Sequence, residues 1–492
     1  MNLSKTGLAL FLILCLCSTI IIKKDKVLVN ASPLTLIVPD DYPTIQEAIN
    51  NVNPGDTIFV RRGTYSENLI INKTITLIGE DRENTVIDGN NTGDVISIQA
   101  SNVVIVGFTI KSSKPYTGCG IYIERFGNAT ISNNTIENNG IGIQTVRSSG
   151  NKIYENIIWA NSIGIQLFYY SSNNVIYRNV IFGNTDGIDI YYYSISNVFY
   201  ENTICSNNLG VFLLWYSDRN VFYHNNLMDN SNHVDAGQTA NTWCFGGEGN
   251  YWDDYDGKDL NKDGIGDAPY KIDEKNIDFH PLMGSFYTFS VSFRGDIYSV
   301  ALISNSTILN FTFSMAVESM ARVISFHASS TNSSAGFIRV AIPKTLMENI
   351  HTVLINEKEV DVNLLNFTDV KNTYLYIEYS GNCSIKIFYL ELLDLYYRLL
   401  ADYSELFSKF RELNSTNTML IEKISALNDT LYNFLSGYSD FQKELYNMTL
   451  LYQNQAQNFK GLIYIFAAIT AVFIATTIYL AKIAHEKQGQ TH

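Results

Sequence analysis

The chain has 492 residues, 46% hydrophobic and 17% charged, with a formal net charge of −14. That length exceeds one ordinary domain, and the composition is that of a folded chain, not a disordered one. The acidic balance excludes nucleic acid as a partner, because phosphate binding needs clustered Lys and Arg, and leaves cations and neutral glycans open.

Residues 7–22 form an apolar run after Lys5, as the h-region of an export signal does. Lys23, Lys24 and Lys26 come next, then Val29-Asn30-Ala31, a small-residue cleavage pattern. Residues 1–31 are therefore read as a signal peptide or an uncleaved signal anchor. Further on, Thr44-Ile45-Gln46-Glu47-Ala48-Ile49 reads as a short amphipathic helix with a Thr/Glu capping box, placed to cover the open first rung of a stacked repeat.

Residues 118–230 repeat with a period of 22 to 23, as the column Gly120, Gly142, Gly164, Gly187, Gly210 shows. Each Gly opens an alternating segment such as Ile143-Gln144-Thr145 or Ile188-Asp189-Ile190, whose first and third residues point inward. A second segment comes after it, with Asn134, Asn156, Asn179, Asn202 and Asn225 in one column. Units this short cannot bury their apolar side chains alone and must stack on their neighbours. The geometry that stacks short strands in parallel, about 4.8 Å apart, is a β-solenoid, with the Asn column forming an amide ladder. Leucine-rich repeats lack support, because their Leu framework and helical segment are missing.

Pro43-Thr44-Ile45-Gln46-Glu47-Ala48-Ile49, Pro54-Gly55-Asp56-Thr57-Ile58, Gly63-Thr64-Tyr65, the Gly-Ile coils, Gly249-Asn250-Tyr251-Trp252 and Asp263-Gly264-Ile265-Gly266-Asp267-Ala268-Pro269-Tyr270 together resemble the NosD-type β-helix proteins. The resemblance covers about residues 37–283 and sits among the carbohydrate-binding and sugar-hydrolase repeats. It implies a right-handed parallel β-helix of pectin-lyase-like architecture over residues 33–284, and it brings copper into consideration. Activity does not follow, since one scaffold hosts lyases, hydrolases and binders.

Residues 285–387 alternate apolar and polar, as in Tyr374-Leu375-Tyr376-Ile377-Glu378-Tyr379, and predict a small β-sandwich. From 388 to 458 the period is seven, with one column through Leu392, Leu399, Leu406, Leu413, Leu420, Leu427, Phe434, Phe441 and Met448. A second runs through Tyr396, Tyr403, Phe410, Asn417, Ile424, Leu431, Tyr438 and Leu445. This predicts a long coiled-coil stalk and a homo-oligomer, with Asn417 fixing register. The apolar run 461–481 is about long enough to cross a bilayer core of roughly 30 Å. Lys482 and Lys487 place the tail 482–492 in the cytoplasm and the bulk of the chain at the cell surface. Asn-x-Ser/Thr acceptor sites in the outer part, Asn72 and Asn133 among them, fit that location.

Two groups of aromatic residues are candidates for binding a glycan or other extracellular polymer: the column Tyr154, Tyr177, Tyr200, Tyr223, and the cluster with Tyr170, Tyr193, Trp215 and Tyr216. Flat rings suit the apolar faces of sugars, with Gln166 and its neighbours to hydrogen-bond; rings that only staple adjacent rungs are the alternative. Asp259, Asn261, Asp263 and Asp267 follow a Ca²⁺-loop pattern, with Tyr270 where a bidentate Glu belongs and Asp273 or Asp256 to supply the missing carboxylate. Cys205, His224, Met228 and His233 are the soft ligands open to copper, and Cys205 could instead pair with Cys244. For a lyase or hydrolase the carboxylate pair would be Asp186 with Asp189, with Arg178 and Glu201 as neighbours. The sequence favours a non-catalytic binder over such an enzyme, a copper-handling protein or a structural envelope protein.

Overall fold

The computed structural model describes residues 34–316, 321–329, 335–361, 363–365, 370–413, 418–454 and 469–478. The chain divides into two compact units, Met1–Val221 with Asp229–Thr242, and Phe222–Met228 with Trp243–His492.

The first unit is mainly β, a solenoid of three parallel faces. One complete rung is Val175–Tyr177, Val180–Phe182 and Asp186–Tyr191, each strand pairing in register with the strand one repeat away. Aligned columns fill the interior: Ile153, Ile176 and Phe199 on the first face, Ile158, Ile181 and Ile204 on the second, Ile165, Ile188 and Val211 on the third. All are fully buried, and each such side chain contributes roughly 1.5–3 kcal/mol through removal from water. The glycine column has a steric cause: a Cβ at Gly164 would lie 2.5 Å from the carbonyl oxygen of Gly187 in the next rung.

The sequence predicts one asparagine ladder, and the structure contains three, one at each corner of the coil. At the first corner Asn134, Asn156, Asn179 and Asn202 are joined amide to amide at 3.0–3.1 Å. Asn139, Asn161, Asn184, Asn207 and Asn230 form the second, at 3.0–3.1 Å. Asn151, Asn174, Asn197, Asn220 and Asn241 form the third, at 2.8–3.1 Å. In each, the side-chain oxygen accepts from both the backbone and side-chain nitrogens of the preceding rung, as Asn179 does from Asn156. Just before the first two ladders the backbone turns through positive φ without glycine, at Glu155, Arg178 and Glu201 and at Ala160 and Ser206.

The expected helix spans Ile45–Asn51 and buries Ile45, Ala48 and Ile49. Thr44 caps it by accepting from the Glu47 amide at 3.2 Å. Its other cap was not foreseen: Glu67, from the first coil, accepts from the Ile45 and Gln46 amides, each at 2.9 Å.

In the second unit the coil pattern is carried by Asn226–Met228 paired with Tyr251–Trp252. Here the ladder goes from Asn225 to Asn250 and ends on a carboxylate. Asp278, fully buried, accepts from the Asn250 amide at 2.7 Å and from the Trp252 indole at 3.0 Å. Two five-stranded antiparallel sheets then pack face to face around Val300, Leu302, Val340, Ile377, Ile324, Phe326, Ile385 and Ile387. The last sandwich strand, Cys383–Leu390, runs into the helix Glu391–Leu413, whose first residue is held by Arg322 at 2.8 Å.

The heptad region is two helices, Glu391–Leu413 and Thr418–Asn454. Tyr438 donates to the Tyr396 hydroxyl at 2.8 Å. In one straight helix those residues, 42 apart, would lie about 63 Å apart at 1.5 Å per residue. The helices therefore fold back on each other, which corrects the single continuous stalk. Leu399, Leu406, Leu427 and Phe434 of the predicted core column stay 65–70% exposed. Asn417, the signal region and most of 461–481 lie outside the described residues; 469–478 is helical. Among the described residues no helix is long and apolar enough to cross a membrane.

The ladders generate a stability prediction. Asn179→Leu removes the acceptor of two bonds, leaving the Asn156 backbone N–H and one of its side-chain hydrogens unmet in the interior, and takes away one of the donors to the Ile153 carbonyl. Unsatisfied buried groups cost about 1–3 kcal/mol each, so the unfolding free energy should drop by roughly 3 kcal/mol or more. A urea melt showing a loss below about 1 kcal/mol would contradict the ladder's role.

Candidate functional site

By strand alternation, the third solenoid face turns a column of side chains outward. In register they are Tyr122, Gln144, Gln166, Asp189, Phe212 and Asp235. A one-directional file of hydrogen bonds runs along it. The Cys119 thiol donates to Gln144 Oε1 at 3.5 Å, Gln144 Nε2 donates to Gln166 Oε1, and Gln166 Nε2 donates to Asp189 Oδ2 at 3.4 Å. Asp189 is 1% exposed, and its Oδ1 has no hydrogen-bond partner. Burial, then the charge of Asp186, pushes its carboxyl up to about 7, against the opposing pull of Gln166 and Tyr191. Burial also raises Asp186.

The four catalytic candidates do not converge. Asp186 and Asp189 share the strand Asp186–Tyr191 of the third face, whereas Arg178 and Glu201 sit at the first corner. There the Arg178 guanidinium donates to Glu201 at 2.6 Å and lies 4.0 Å from Glu155. This charge ladder joins three rungs and spends both groups on each other.

The aromatic columns stack as the repeat requires. Tyr154, Tyr177 and Tyr200 have ring centroids 4.8 and 4.9 Å apart and planes within 12° and 3°. They are half-buried, and burial pushes the Tyr177 hydroxyl up to about 12. Tyr223, in the second unit, meets His224 edge-on and Phe245 at a tilt. On the loops after the third face, Tyr170, Tyr193 and Tyr216 stack at 5.3 and 5.0 Å with planes within 10°, and Trp215 stacks on Tyr192 at 4.3 Å. These rings are exposed: 54% for Tyr170, 43% for Tyr193, 65% for Tyr216. This geometry corrects one expectation. In both ladders the ring faces are covered by neighbouring rings, so a ligand lying along the solenoid meets ring edges, not faces.

The acidic loop closes on its own backbone. Asp259 accepts from the Asp263 and Gly264 amides at 3.0 and 2.8 Å, Asp263 from Ile265 at 2.8 Å, and Asp267 from Leu260 at 2.7 Å, while Asn261 donates to Asp263 at 2.9 Å. Asp273 caps its own turn by accepting from the Lys275 and Asn276 amides, so it does not complete the loop, and Tyr270 donates to Asp254 at 3.1 Å. The geometry adds no observation in favour of calcium.

The soft ligands are engaged separately. His224 Nε2 lies 2.6 Å from Glu248, and its ring stacks on Phe286 at 4.0 Å. Glu248 also bonds Arg339; although burial opposes ionisation, Arg339 and His224 hold its carboxyl down to about 2. The Met228 sulfur accepts from Ser285 at 3.6 Å, and His233 Nδ1 lies 3.3 Å from the Asn230 side chain. Cys205 is half-buried, and burial raises its thiol. With one ring nitrogen of each histidine and the Met228 sulfur engaged by separate protein partners, the geometry adds no observation that these four residues form one copper centre. All four described cysteines are free, Cys205 and Cys244 among them, so the alternative pairing of those two is not formed.

The repeat, its corners and its outward column define a right-handed parallel β-helix with a polar, aromatic-edged face. Residues 49–257, less than half of the chain, match the family model described as periplasmic copper-binding protein (NosD), which bears out the resemblance read from the sequence. A cell surface glycoprotein of Methanothermus fervidus is 38% identical over 100 residues, 20% of this chain and 16% of the relative, so the match spans a small part of that protein. Among solved structures, the Dettilon tailspike protein is similar at TM-score 0.29 and 12% identity, over 72% of this chain and 94% of that one. The complex of XylC with xylose gives 0.34 and 12%, over 45% and 68%. An alginate lyase from Paenibacillus sp. str. FPU-7 gives 0.24 and 14%, over 39% and 95%. Likeness at this level carries no argument about activity.

Asp189 yields a prediction with a definite sign. The folded protein holds its proton to about pH 7, whereas an unfolded aspartate releases it near roughly 3.9. The folded state binds more protons in between, so the stability is fully present below about pH 4 and is lost as pH rises through about 7. Asp189→Asn removes that loss and should raise the unfolding free energy at pH 8 by up to about 4 kcal/mol, with little change at pH 4. Equal effects in urea melts at the two pH values would rule out this linkage.

Proposed function

We propose that this chain is a membrane-anchored, extracytoplasmic surface protein whose solenoid binds an extended extracellular glycan or related polymer without cleaving it. The observation that carries the reading is the exposed, register-locked strip of Tyr170, Tyr193 and Tyr216, repeating at 5.3 and 5.0 Å beside the polar column of the third face. Such spacing suits a linear chain lying along the solenoid, contacted by ring edges and hydrogen bonds. The names of the relatives, a cell surface glycoprotein and a periplasmic family, support an extracytoplasmic location. The apolar run 461–481, with Lys482 and Lys487 after it, supports the anchor. Separation of Arg178 and Glu201 from Asp186 and Asp189 weighs against catalysis.

One observation favours a polysaccharide-active enzyme as the second reading: a carboxyl held near 7 is poised for general acid–base work. New reducing or unsaturated ends, released from polysaccharides by the wild type and not by Asp189→Asn, would establish it.

Binding by the exposed strip can be told from binding by the half-buried one. On a glycan array, Tyr193→Ala with Tyr216→Ala should weaken binding by roughly 1 kcal/mol per ring, while Tyr177→Ala, which breaks the half-buried ladder, should lower the melting temperature and leave affinity unchanged. The reverse pattern would move the binding surface to the first face. The exposed heptad leucines need a partner, and a second copy of this chain is proposed. A chain ending at residue 458 should sediment as an oligomer and become monomeric with Leu399→Ser and Phe434→Ser; a monomeric parent would defeat the assembly.

A further inference from the structure

Asparagine serves two purposes in this chain, and its surroundings tell them apart. Ladder asparagines are buried, with their amides bonded to the neighbouring rungs. Asn72, Asn90, Asn128, Asn133 and Asn310 instead stand in Asn-x-Ser/Thr patterns, exposed, and their side chains make no hydrogen bond among the described residues. Asn72 follows the strand Leu69–Ile71; the other four turn through positive φ, at 51°, 58°, 51° and 53°, a conformation that asparagine adopts more readily than most residues. Beside Asn128 the next rung carries Gly150, where any Cβ would collide with the Asn128 side-chain oxygen, so the register leaves that amide its room. Two further patterns are engaged by the fold itself. Asn305 donates to the Ala335 carbonyl at 3.4 Å and accepts from the Phe337 amide at 3.0 Å, and Asn382 accepts from the Ser329 hydroxyl at 3.3 Å. Between residues 134 and 304 the sequence holds no such pattern, although asparagine is frequent there.

We infer that Asn72, Asn90, Asn128, Asn133 and Asn310 carry N-linked oligosaccharides, while the coils that hold Tyr170, Tyr193 and Tyr216 stay bare. This inference rests on the extracytoplasmic location proposed above. The donor is a polyprenyl-phosphate-linked oligosaccharide: the bond from Asn Nδ2 to the sugar C1 forms, the C1–O bond to phosphate breaks, the lipid phosphate leaves and the amide gives up one proton to the transferase. An exposed, unbonded amide offers that nitrogen without disturbing the fold, whereas a bulky sugar on Asn305 crowds a contact between strands. Asn310 also shows what the sugar does. Thr307–Ala316 is the outer strand of its five-stranded sheet and pairs, among the described residues, with Ala321–Ser329 alone. An open edge ten residues long is a template for another chain. The pairing shifts register between Leu309 and Thr312, so Asn310 stands on a bulge, and an oligosaccharide there blocks the approach of an added strand.

The test is glycopeptide mass spectrometry on the full chain, extracted in detergent from cells that make it, after the intact cells have been labelled with an amine-reactive biotin that does not cross membranes. The expected result is a biotinylated protein with sugar mass on the five named asparagines and peptides of unmodified mass at Asn305 and Asn382. Biotinylated protein that is bare at all five overturns the inference and leaves the surface location intact. Equal occupancy at Asn305, Asn382 and the five overturns it as well, because engagement of the amide would then decide nothing. Protein that is neither biotinylated nor glycosylated overturns the location and the inference together. Asn310→Gln should keep the wild-type melting temperature and aggregate several-fold faster; an unchanged rate overturns the role of the sugar at the edge.

Discussion

A coil of 22 to 23 residues must turn three corners, and at each the chain leaves the sheet ladders with backbone amides that water cannot reach. Fully buried asparagine meets that constraint. Its side chain copies the peptide group, so one residue supplies the acceptor that the preceding rung lacks and a donor for the carbonyls around it. Because each amide is satisfied only by the rung beside it, stacking becomes obligatory and register is fixed: a slip of one residue would leave three columns of buried amides unpaired at once.

Register has a second consequence. Whatever stands at one position of a rung stands next to its equivalent in the neighbouring rung, so repeated aromatics stack and repeated charges must alternate. Tyr154, Tyr177 and Tyr200 cover each other's faces, and Glu155, Arg178 and Glu201 alternate in sign at the corner. From sequence the tyrosines read as a ligand surface and Arg178 with Glu201 as neighbours of a catalytic pair; in the structure both columns make contacts that join successive rungs. Exposure distinguishes the Tyr170, Tyr193 and Tyr216 ladder, and exposure depends on how the loops fold over the face, which the period does not encode.

The parts legible in the sequence are those governed by period: the inward columns, the glycine column, the helix beginning after Thr44 and the first asparagine ladder. The other two ladders carry the same spacing at Asn139 to Asn230 and Asn151 to Asn220 and could have been read the same way. Glu67 as a cap could not, because it acts 22 and 21 residues away on a helix that precedes it. Nor could Glu248 as the joint partner of His224 and Arg339, since Arg339 comes 91 residues later. The heptad pattern identified helices correctly and their continuity wrongly: period seven sets which residues share a face and does not say whether the partner face lies on another chain or on the same one.

In a solenoid, function should be sought where a column stops repeating. Inward columns and corner ladders keep one residue class from rung to rung, and substitution within them is limited by packing and amide pairing. The outward column of the third face runs Tyr122, Gln144, Gln166, Asp189, Phe212, Asp235, and its change from amide to carboxyl at Asp189 has no stacking rationale: another glutamine would continue the file and bury no charge. Asp189 is instead buried with one oxygen unpaired, an arrangement that lowers stability at neutral pH because the folded state resists ionisation. Among the described residues the solenoid also buries Thr145 and Ser217 hydroxyls without a partner, but Asp189 is the carboxyl it holds on the outward column beside the exposed aromatic strip. The penalty falls on the outward side of the strand, where the group does not add to the apolar core, so it is the break in the column, and not the repeat itself, that calls for a reason beyond stacking.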